Sequence, residues 1–291
     1  MPPHLTRILF SSIITLLLIA GAAAEPQTVY FRSADGRTDI VAYLFRPGSA
    51  GPAPAVVMLH GRGGPYSSND NVDCTYVAPS MPSRCNAATL SKRHVMWGEY
   101  WAERGYLALL PDSFGPRGKA HGFGRFTHDD PDRANVNEET VRPLDAEAAL
   151  AYLRKRSDVI GSRVFLQGWS NGGSTALNVM IRQGSQTAGY RGALVFYPGC
   201  GQEALLLPVI ATTAPIAMFL GADDEEVSPV ICQHVAERSR EAGTRLDVSV
   251  YPGATHGFDE PTSRPQSVPG NEAALVDVLG KAAAIVSRWK N

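Results

Sequence analysis

Residues 164–173 have the sequence Val-Phe-Leu-Gln-Gly-Trp-Ser-Asn-Gly-Gly, in which Gly168, Ser170 and Gly172 form the pattern Gly-x-Ser-x-Gly. The apolar residues that begin it predict a buried strand, and residues 174–182 predict a helix. A sharp turn between the two crowds the chain, so the flanking positions must lack a Cβ atom. The turn would raise the Ser170 hydroxyl above the sheet, which predicts a nucleophile. The alternative is a glycine-rich turn with a capping serine.

The base that would activate this serine is expected later in the chain. A serine hydroxyl is a poor nucleophile until a base takes its proton, and an acid must orient that base. After a turn of this kind the acid follows the serine, and the histidine follows the acid. Only His234 and His256 come after Ser170. His256 follows a predicted strand and is the predicted base, whereas His234 lies within a predicted helix.

The acid is expected where the preceding strand, at 216–220, ends. Residues 223–226 are all acidic, with the sequence Asp-Asp-Glu-Glu. A run of this kind is commonly a solvated loop, but one member must face the histidine if a triad forms. Asp224 is the predicted acid, and Asp223 is the alternative.

Two backbone N–H groups are expected to stabilise the negative charge that develops during acyl transfer. Asn171, which follows the serine at the start of the helix, is the first predicted donor. The second is expected in the loop after the apolar strand at 55–59, where residues 60–64 have the sequence His-Gly-Arg-Gly-Gly. Arg62 is the predicted donor there. His60 precedes the nucleophile and is predicted to be a structural hydrogen-bonding residue.

Strand-like apolar runs alternate with helical patterns along the chain, which predicts an α/β protein with a mostly parallel sheet and helices on both faces. An antiparallel hairpin is predicted around Asp35-Gly36. A further strand, at 106–110, is predicted to stop at Pro111. No repeat or linker divides the chain, so residues 25–291 are predicted to form one domain.

A long polar segment runs from Asp112 to Asn137 with little periodicity. A loop of this length is commonly functional, and it is predicted to overhang the pocket. Arg117 is the predicted substrate-binding residue within it, and Trp169, beside the serine, is predicted to line the acyl pocket. The alternatives are a solvated surface for the loop and core packing for the tryptophan. Further candidates for binding an anionic group are His121, Arg125 and His128.

The first 24 residues have the features of a secretory signal peptide. His4 and Arg7 precede an apolar run at 8–20, and small residues lead to Ala24. The run is shorter than the roughly 20 residues that a membrane span needs. The sequence therefore predicts export to the periplasm or the medium, with no membrane span after cleavage. The formal net charge is -1, and the charged residues are spread along the chain rather than clustered, which argues against nucleic-acid binding.

Export would favour disulfides among the four cysteines, Cys74, Cys85, Cys200 and Cys232. Three pairings are possible. The short loop between the first two favours Cys74–Cys85, which leaves Cys200–Cys232. The spacings typical of a metal site are missing, and neither a metal nor an organic cofactor is predicted.

Five stretches of the chain have motifs in common with one known family, at residues 60–64, 111–118, 168–173, 221–224 and 254–258. Together they resemble the dienelactone hydrolase-like branch of the α/β-hydrolase superfamily. The resemblance implies the α/β-hydrolase fold and cleavage of carboxylic esters of small soluble substrates through an acyl-enzyme. It also favours Asp224, three residues after Gly221. The chain departs from the family in having Ser170 where dienelactone hydrolases have cysteine, and Gly61 where they have an acidic residue. The family's arginine shortly after the histidine is also missing.

Two other functions stay open. Residues 60–65 also resemble the oxyanion loop of prolyl oligopeptidase-like serine peptidases, although those enzymes usually carry a large preceding domain. The second alternative is a non-catalytic binding protein on the same fold, against which the complete set of catalytic residues argues.

Overall fold

The computed structural model describes residues 25–186 and 188–290, so the predicted signal peptide lies outside the described residues. A sheet of eight strands runs through these residues in the order β1-β2-β4-β3-β5-β6-β7-β8. The β1–β2 and β2–β4 pairs are antiparallel, and every other neighbouring pair is parallel. The predicted mostly parallel sheet is confirmed. The strands are β1 (Gln27–Arg32), β2 (Asp39–Phe45), β3 (Ala53–Leu59), β4 (Leu107–Asp112), β5 (Val159–Trp169), β6 (Ala193–Phe196), β7 (Ile216–Gly221) and β8 (Leu246–Tyr251).

Helices cover both faces of the sheet, as predicted. Successive side chains of a strand point to opposite faces, so each central strand feeds two cores. In β3, Val57 belongs to the core under α2, α3 and α4, whereas Val56 belongs to the core under α1 and α6. The helices are α1 (Lys92–Glu103), α2 (Arg142–Arg154), α3 (Asn171–Gln183), α4 (Pro229–Glu241), the short α5 (Ser263–Gln266) and α6 (Pro269–Arg288).

The predicted hairpin between β1 and β2 is confirmed, and its turn is held by Asp35. One carboxylate oxygen of Asp35 accepts hydrogen bonds from the backbone N–H groups of Arg37 and Thr38, at 2.7 and 2.8 Å. Gly36 has a φ of 73°, a backbone conformation that favours glycine.

The predicted end of β4 before Pro111 is wrong, because the strand continues through Asp112. Proline lacks the N–H group that a central strand uses for pairing. The pairing of β4 with β3 ends at Leu109, whereas its pairing with β2 continues through Pro111 and Asp112. The proline therefore lies where β4 has one neighbouring strand.

Both predicted disulfides are present, and they tie loops to the framework. Cys74–Cys85 closes a loop between β3 and α1, and Cys200–Cys232 joins the segment after β6 to α4. Within residues 25–186 and 188–290, no helix has the length and apolarity that crossing a membrane requires. The same part of the chain contains no cluster of His, Cys, Asp or Glu side chains suited to hold a metal ion.

Candidate active site

The turn between β5 and α3 has the geometry that its glycines predict. Ser170 adopts a φ of 52° and a ψ of −120°, which side-chain-bearing residues rarely occupy. A Cβ atom on Gly168 would lie 2.2 Å from the carbonyl oxygen of Gly172, and one on Gly172 would lie 2.1 Å from the carbonyl oxygen of Leu59. The chain can make this close turn only because both positions lack a side chain.

Three side chains meet above the carboxyl ends of the parallel strands. Ser170 follows β5, Asp224 follows β7 and His256 follows β8. The Nε2 atom of His256 lies 3.1 Å from Ser170 Oγ, and its Nδ1 lies 2.9 Å from Asp224 Oδ2. The structure thus brings the predicted nucleophile, base and acid into one hydrogen-bonded chain.

The Asp224 carboxylate is fixed by its own loop. Its side chain is buried, and Oδ1 accepts hydrogen bonds from the backbone N–H groups of Glu226 and Val227 at 2.8 and 2.9 Å. The alternative acid, Asp223, has an exposed side chain. His234 is likewise exposed, on α4. Neither residue joins the group around Ser170.

The two predicted oxyanion residues, Arg62 and Asn171, line the same cleft as Ser170. Asn171 is the first residue of α3, and the first N–H groups of a helix have no acceptor within it. The loop of Arg62 is held by reciprocal hydrogen bonds with Phe123, in which the Phe123 N–H and the Arg62 guanidinium each donate across 2.9 Å. Both residues therefore lie beside the serine, one at the start of α3 and one in a hydrogen-bonded loop.

His60 has the structural role predicted for it. Its Nδ1 lies 2.8 Å from the carbonyl oxygen of Gly61, and its Nε2 accepts a hydrogen bond from the Ser113 N–H at 3.2 Å. Burial, with the nearby charge of Arg142, holds the pKa of His60 well below its usual range. A neutral ring with Nδ1 protonated satisfies both contacts.

Arg142, which was not predicted from the sequence, is fully buried and contacts both segments that carry the predicted oxyanion residues. Its guanidinium donates to the side-chain oxygen of Asn171 and, at 2.7 Å, to the carbonyl oxygen of His60. An arginine at the start of a helix is usually exposed, so the sequence carries no signal of this role.

A cleft opens above Ser170. The long loop after β4 supplies Phe126, His128 and Arg133, so it lies over the site. His128 was a predicted candidate, whereas Arg133 and Glu138 were not. Glu226 belongs to the acidic run that was considered for the catalytic acid, but its place in the cleft was not predicted. The remaining lining residues are Arg62, Asn171, Ser174, Gly199, Ala204 and Val227.

The structure corrects both predicted substrate-binding residues, because neither lines the cleft. The Arg117 guanidinium is held by Asp145, at 2.7 and 2.9 Å, and by Asp35, at 3.0 Å. Trp169 is fully buried, and its indole N–H donates to Asp259 at 2.7 Å. Ion pairing and core packing therefore account for these two side chains.

The other cationic candidates of the long loop differ in their surroundings. His121 contacts the carbonyl oxygen of Cys74 through Nδ1 at 3.3 Å. Arg125 pairs with Glu225 and Glu226, at 3.3 and 2.7 Å. Neither lines the cleft, in contrast to His128.

Glu226 lies close to the nitrogen of His256 that contacts Ser170, a position that the sequence did not indicate. Its carboxylate pairs with Arg62 at 3.0 Å and lies 3.8 Å from His256 Nε2. Burial tends to raise the pKa of Glu226, but the hydrogen bond from Arg62 and the charges of His256 and Arg125 outweigh it and lower that pKa.

Residues 91–287 match the Dienelactone hydrolase family, and this range contains Ser170, Asp224 and His256. The chain belongs to the dienelactone hydrolase family. Because the match spans more than half of the sequence, it confirms the predicted resemblance. Membership of this family supports hydrolase chemistry for the chain.

Solved structures show the same fold. A dienelactone hydrolase-like promiscuous phosphotriesterase from metagenomic libraries superposes with a TM-score of 0.65 at 20% identity, over 92% of this chain and 100% of that one. Esterase 2 of Thermogutta terrifontis gives 0.62 at 18% identity, over 94% and 97%. A putative dipeptidyl aminopeptidase IV of Bacteroides ovatus gives 0.59 at 16% identity, over 89% of this chain but 36% of that one. These likenesses confirm the α/β-hydrolase fold.

Proposed function

We propose that this dienelactone hydrolase family member is a serine hydrolase that cleaves carboxylic esters of small soluble substrates through an acyl-enzyme. One observation carries the proposal: His256 Nε2 lies 3.1 Å from Ser170 Oγ while its Nδ1 is held by Asp224. This arrangement lets the imidazole take the hydroxyl proton as the oxygen attacks a carbonyl carbon.

The first half of the proposed reaction uses two segments together, the turn at 168–172, here called the elbow, and the loop at 60–64, here called the oxyanion loop. Ser170 attacks the ester, and the carbonyl oxygen becomes negatively charged between the N–H groups of Arg62 and Asn171. His256 then donates its proton to the departing alcohol. The acyl group stays on Ser170 until water releases it.

The test compares the wild type with Ser170→Ala on nitrophenyl esters of graded acyl length. We expect a loss of at least about a thousandfold in kcat/KM, because the nucleophile is gone, and a thermal unfolding midpoint close to that of the wild type. Ser49→Ala, at an exposed position, is the matched control and should keep full activity. Turnover retained by Ser170→Ala would overturn the assignment.

Two further measurements separate the alternative functions. A fluorophosphonate probe should label the wild type once, at Ser170, and an absence of labelling would favour a binding protein. Hydrolysis of aminoacyl-nitroanilides without hydrolysis of nitrophenyl esters would favour a peptidase.

We also propose that the protein is exported and that residues 1–24 are removed. The two disulfides support this, since such bonds persist in oxidising compartments. The intact mass of protein recovered from the periplasm or medium should correspond to a chain that begins at Glu25. A mass that includes residues 1–24 would contradict the proposal.

A further inference from the structure

Glu226 places a carboxylate oxygen on the reacting side of His256. Its Oε2 atom lies 3.8 Å from His256 Nε2, the same nitrogen that lies 3.1 Å from Ser170 Oγ. Glu226 and Ser170 both line the cleft, which is the space that the substrate of the proposed reaction would occupy. Triad chemistry as described above gives no role to a second carboxylate at this nitrogen.

The hydrogen bonds of Glu226 fix the position of its carboxylate, and one of its oxygens can still accept a further hydrogen bond. Oε1 accepts a hydrogen bond from Arg62 at 3.1 Å and forms an ion pair with Arg125 at 2.7 Å, while Oε2 accepts from Arg62 alone, at 3.0 Å, among the described residues. Each carboxylate oxygen can accept two hydrogen bonds. The atom nearest to His256 Nε2 is therefore the one with spare capacity.

Two polar atoms 3.8 Å apart can share one water molecule, because a point about 2.8 Å from both exists between them. A bound water needs two or more such partners. We propose that Glu226 orients the water that hydrolyses the acyl-enzyme, a role that rests on the proposed serine hydrolase function. In this arrangement Oε2 of Glu226 accepts a hydrogen bond from one O–H of the water, and the other O–H points to Nε2 of His256.

The proposed step balances without any proton transfer to Glu226. The water oxygen bonds to the acyl carbon while one water proton moves to His256 Nε2. The tetrahedral intermediate then breaks its bond to Ser170 Oγ, and the proton on Nε2 returns to that oxygen. The acid leaves with the second water hydrogen, and Glu226 only accepts a hydrogen bond throughout.

This role belongs to the second half of the reaction. During acylation His256 Nε2 is engaged with Ser170 Oγ, and no water takes part. Loss of the Glu226 acceptor should therefore slow deacylation and spare acylation. A residue that served only to clamp Arg62 would affect acylation and deacylation alike, because both halves of the reaction use the oxyanion loop.

Glu226→Gln is the variant of choice because it keeps the side-chain shape. The two arginines at the Oε1 position favour the amide oxygen there, which keeps one of the two hydrogen bonds from Arg62. The NH2 group then replaces Oε2, loses the second hydrogen bond from Arg62 and puts a donor where the water needs an acceptor. Asp223→Asn is the matched control, since it removes a charge from an exposed position in the same loop. Stopped-flow hydrolysis of p-nitrophenyl acetate measures the burst, which reports acylation, and the steady rate that follows.

We expect Glu226→Gln to slow deacylation about tenfold or more and to change the acylation rate less than about threefold. A burst equal to the enzyme concentration should become visible, whereas Asp223→Asn should behave as the wild type. Equal slowing of both phases, or no change in either, would overturn the proposal. If the serine hydrolase assignment itself failed, the wild type would show neither turnover nor labelling at Ser170.

Discussion

Glu138 combines a place on the cleft wall with almost complete burial, at 5% exposure. Burial raises the pKa of this carboxyl group, against the hydrogen bond from Asn171 and the charges of Arg142 and Arg133. A group whose pKa is raised on folding binds its proton more tightly in the folded chain than in the unfolded one. Its ionisation therefore lowers the free energy of unfolding as pH rises from its ordinary value of 4.5 through the raised value.

Glu138→Gln should remove this pH dependence, because an amide of the same shape does not ionise. We expect the free energy of unfolding of the variant, relative to the wild type, to be higher at about pH 8 than at about pH 4. Urea unfolding at both pH values measures the difference. A difference between the two proteins that does not change with pH would contradict the prediction.

The residues of the candidate site differ in how far the sequence could predict them. Ser170 and His256 were predictable because each follows a strand whose end lies at one edge of the sheet. Glu226 and Arg133 were not, because their position depends on how two loops meet above that edge. Trp169 was assigned to the pocket from its place beside the serine, but as the last residue of β5 it packs into the core.

At the scale of elements, the elbow depends on an approach between α3 and β3. A Cβ atom on Gly172 would lie 2.1 Å from the carbonyl oxygen of Leu59 and 2.4 Å from that of His60. Both atoms are backbone, so neither can turn aside as a side chain would. The end of β3 leads directly into the oxyanion loop, and relief of the clash would move that loop.

Gly172→Ala should therefore reduce both stability and activity. We expect a loss of about 2–4 kcal/mol in the free energy of unfolding, as for other severe overpacking, and at least a tenfold loss of esterase kcat. Gly280→Ala is the matched control in α6, where nothing lies within 4 Å of the added atom. It should instead gain about 0.5–1 kcal/mol, since alanine favours helix more than glycine does. Urea unfolding and ester assays of both variants test this, and a wild-type-like Gly172→Ala would be inconsistent with the clash.

Sequence patterns predicted most helices and strands, because the strands have two buried faces and the helices have one apolar face. They failed where tertiary pairing outweighs local preference. Pro111 was expected to end β4, yet the antiparallel pairing with β2 extends the strand through it. The strand β5 begins at Val159, five residues before its predicted start, because the segment Gly161-Ser162-Arg163 interrupts the apolar pattern on which the prediction depended.

At the scale of the whole molecule, each disulfide is connected to a different segment that lines the cleft. Cys200–Cys232 closes 32 residues of chain, and Gly199 beside it lines the cleft. Cys74–Cys85 closes 11 residues. The backbone beside Cys74 contacts the long loop, because the carbonyl oxygen of Thr75 accepts a hydrogen bond from the Ala120 N–H at 3.1 Å. Longer closed loops restrict the unfolded chain more.

Paired serine substitutions separate the contributions of the two bonds. By loop-closure entropy, we expect losses of about 4 kcal/mol for Cys200→Ser/Cys232→Ser and about 3 kcal/mol for Cys74→Ser/Cys85→Ser in the free energy of unfolding. The first pair should also raise the KM for esters more than the second, because Gly199 and Ala204 belong to the segment that the bond holds. Urea unfolding without reductant measures the losses, and ester kinetics at a temperature where both variants are folded measures the KM. Unchanged stability in the first variant would mean that this bond does not restrain the chain in solution. A larger effect on KM from the second pair would show that the long loop, rather than the segment after β6, shapes the ester site.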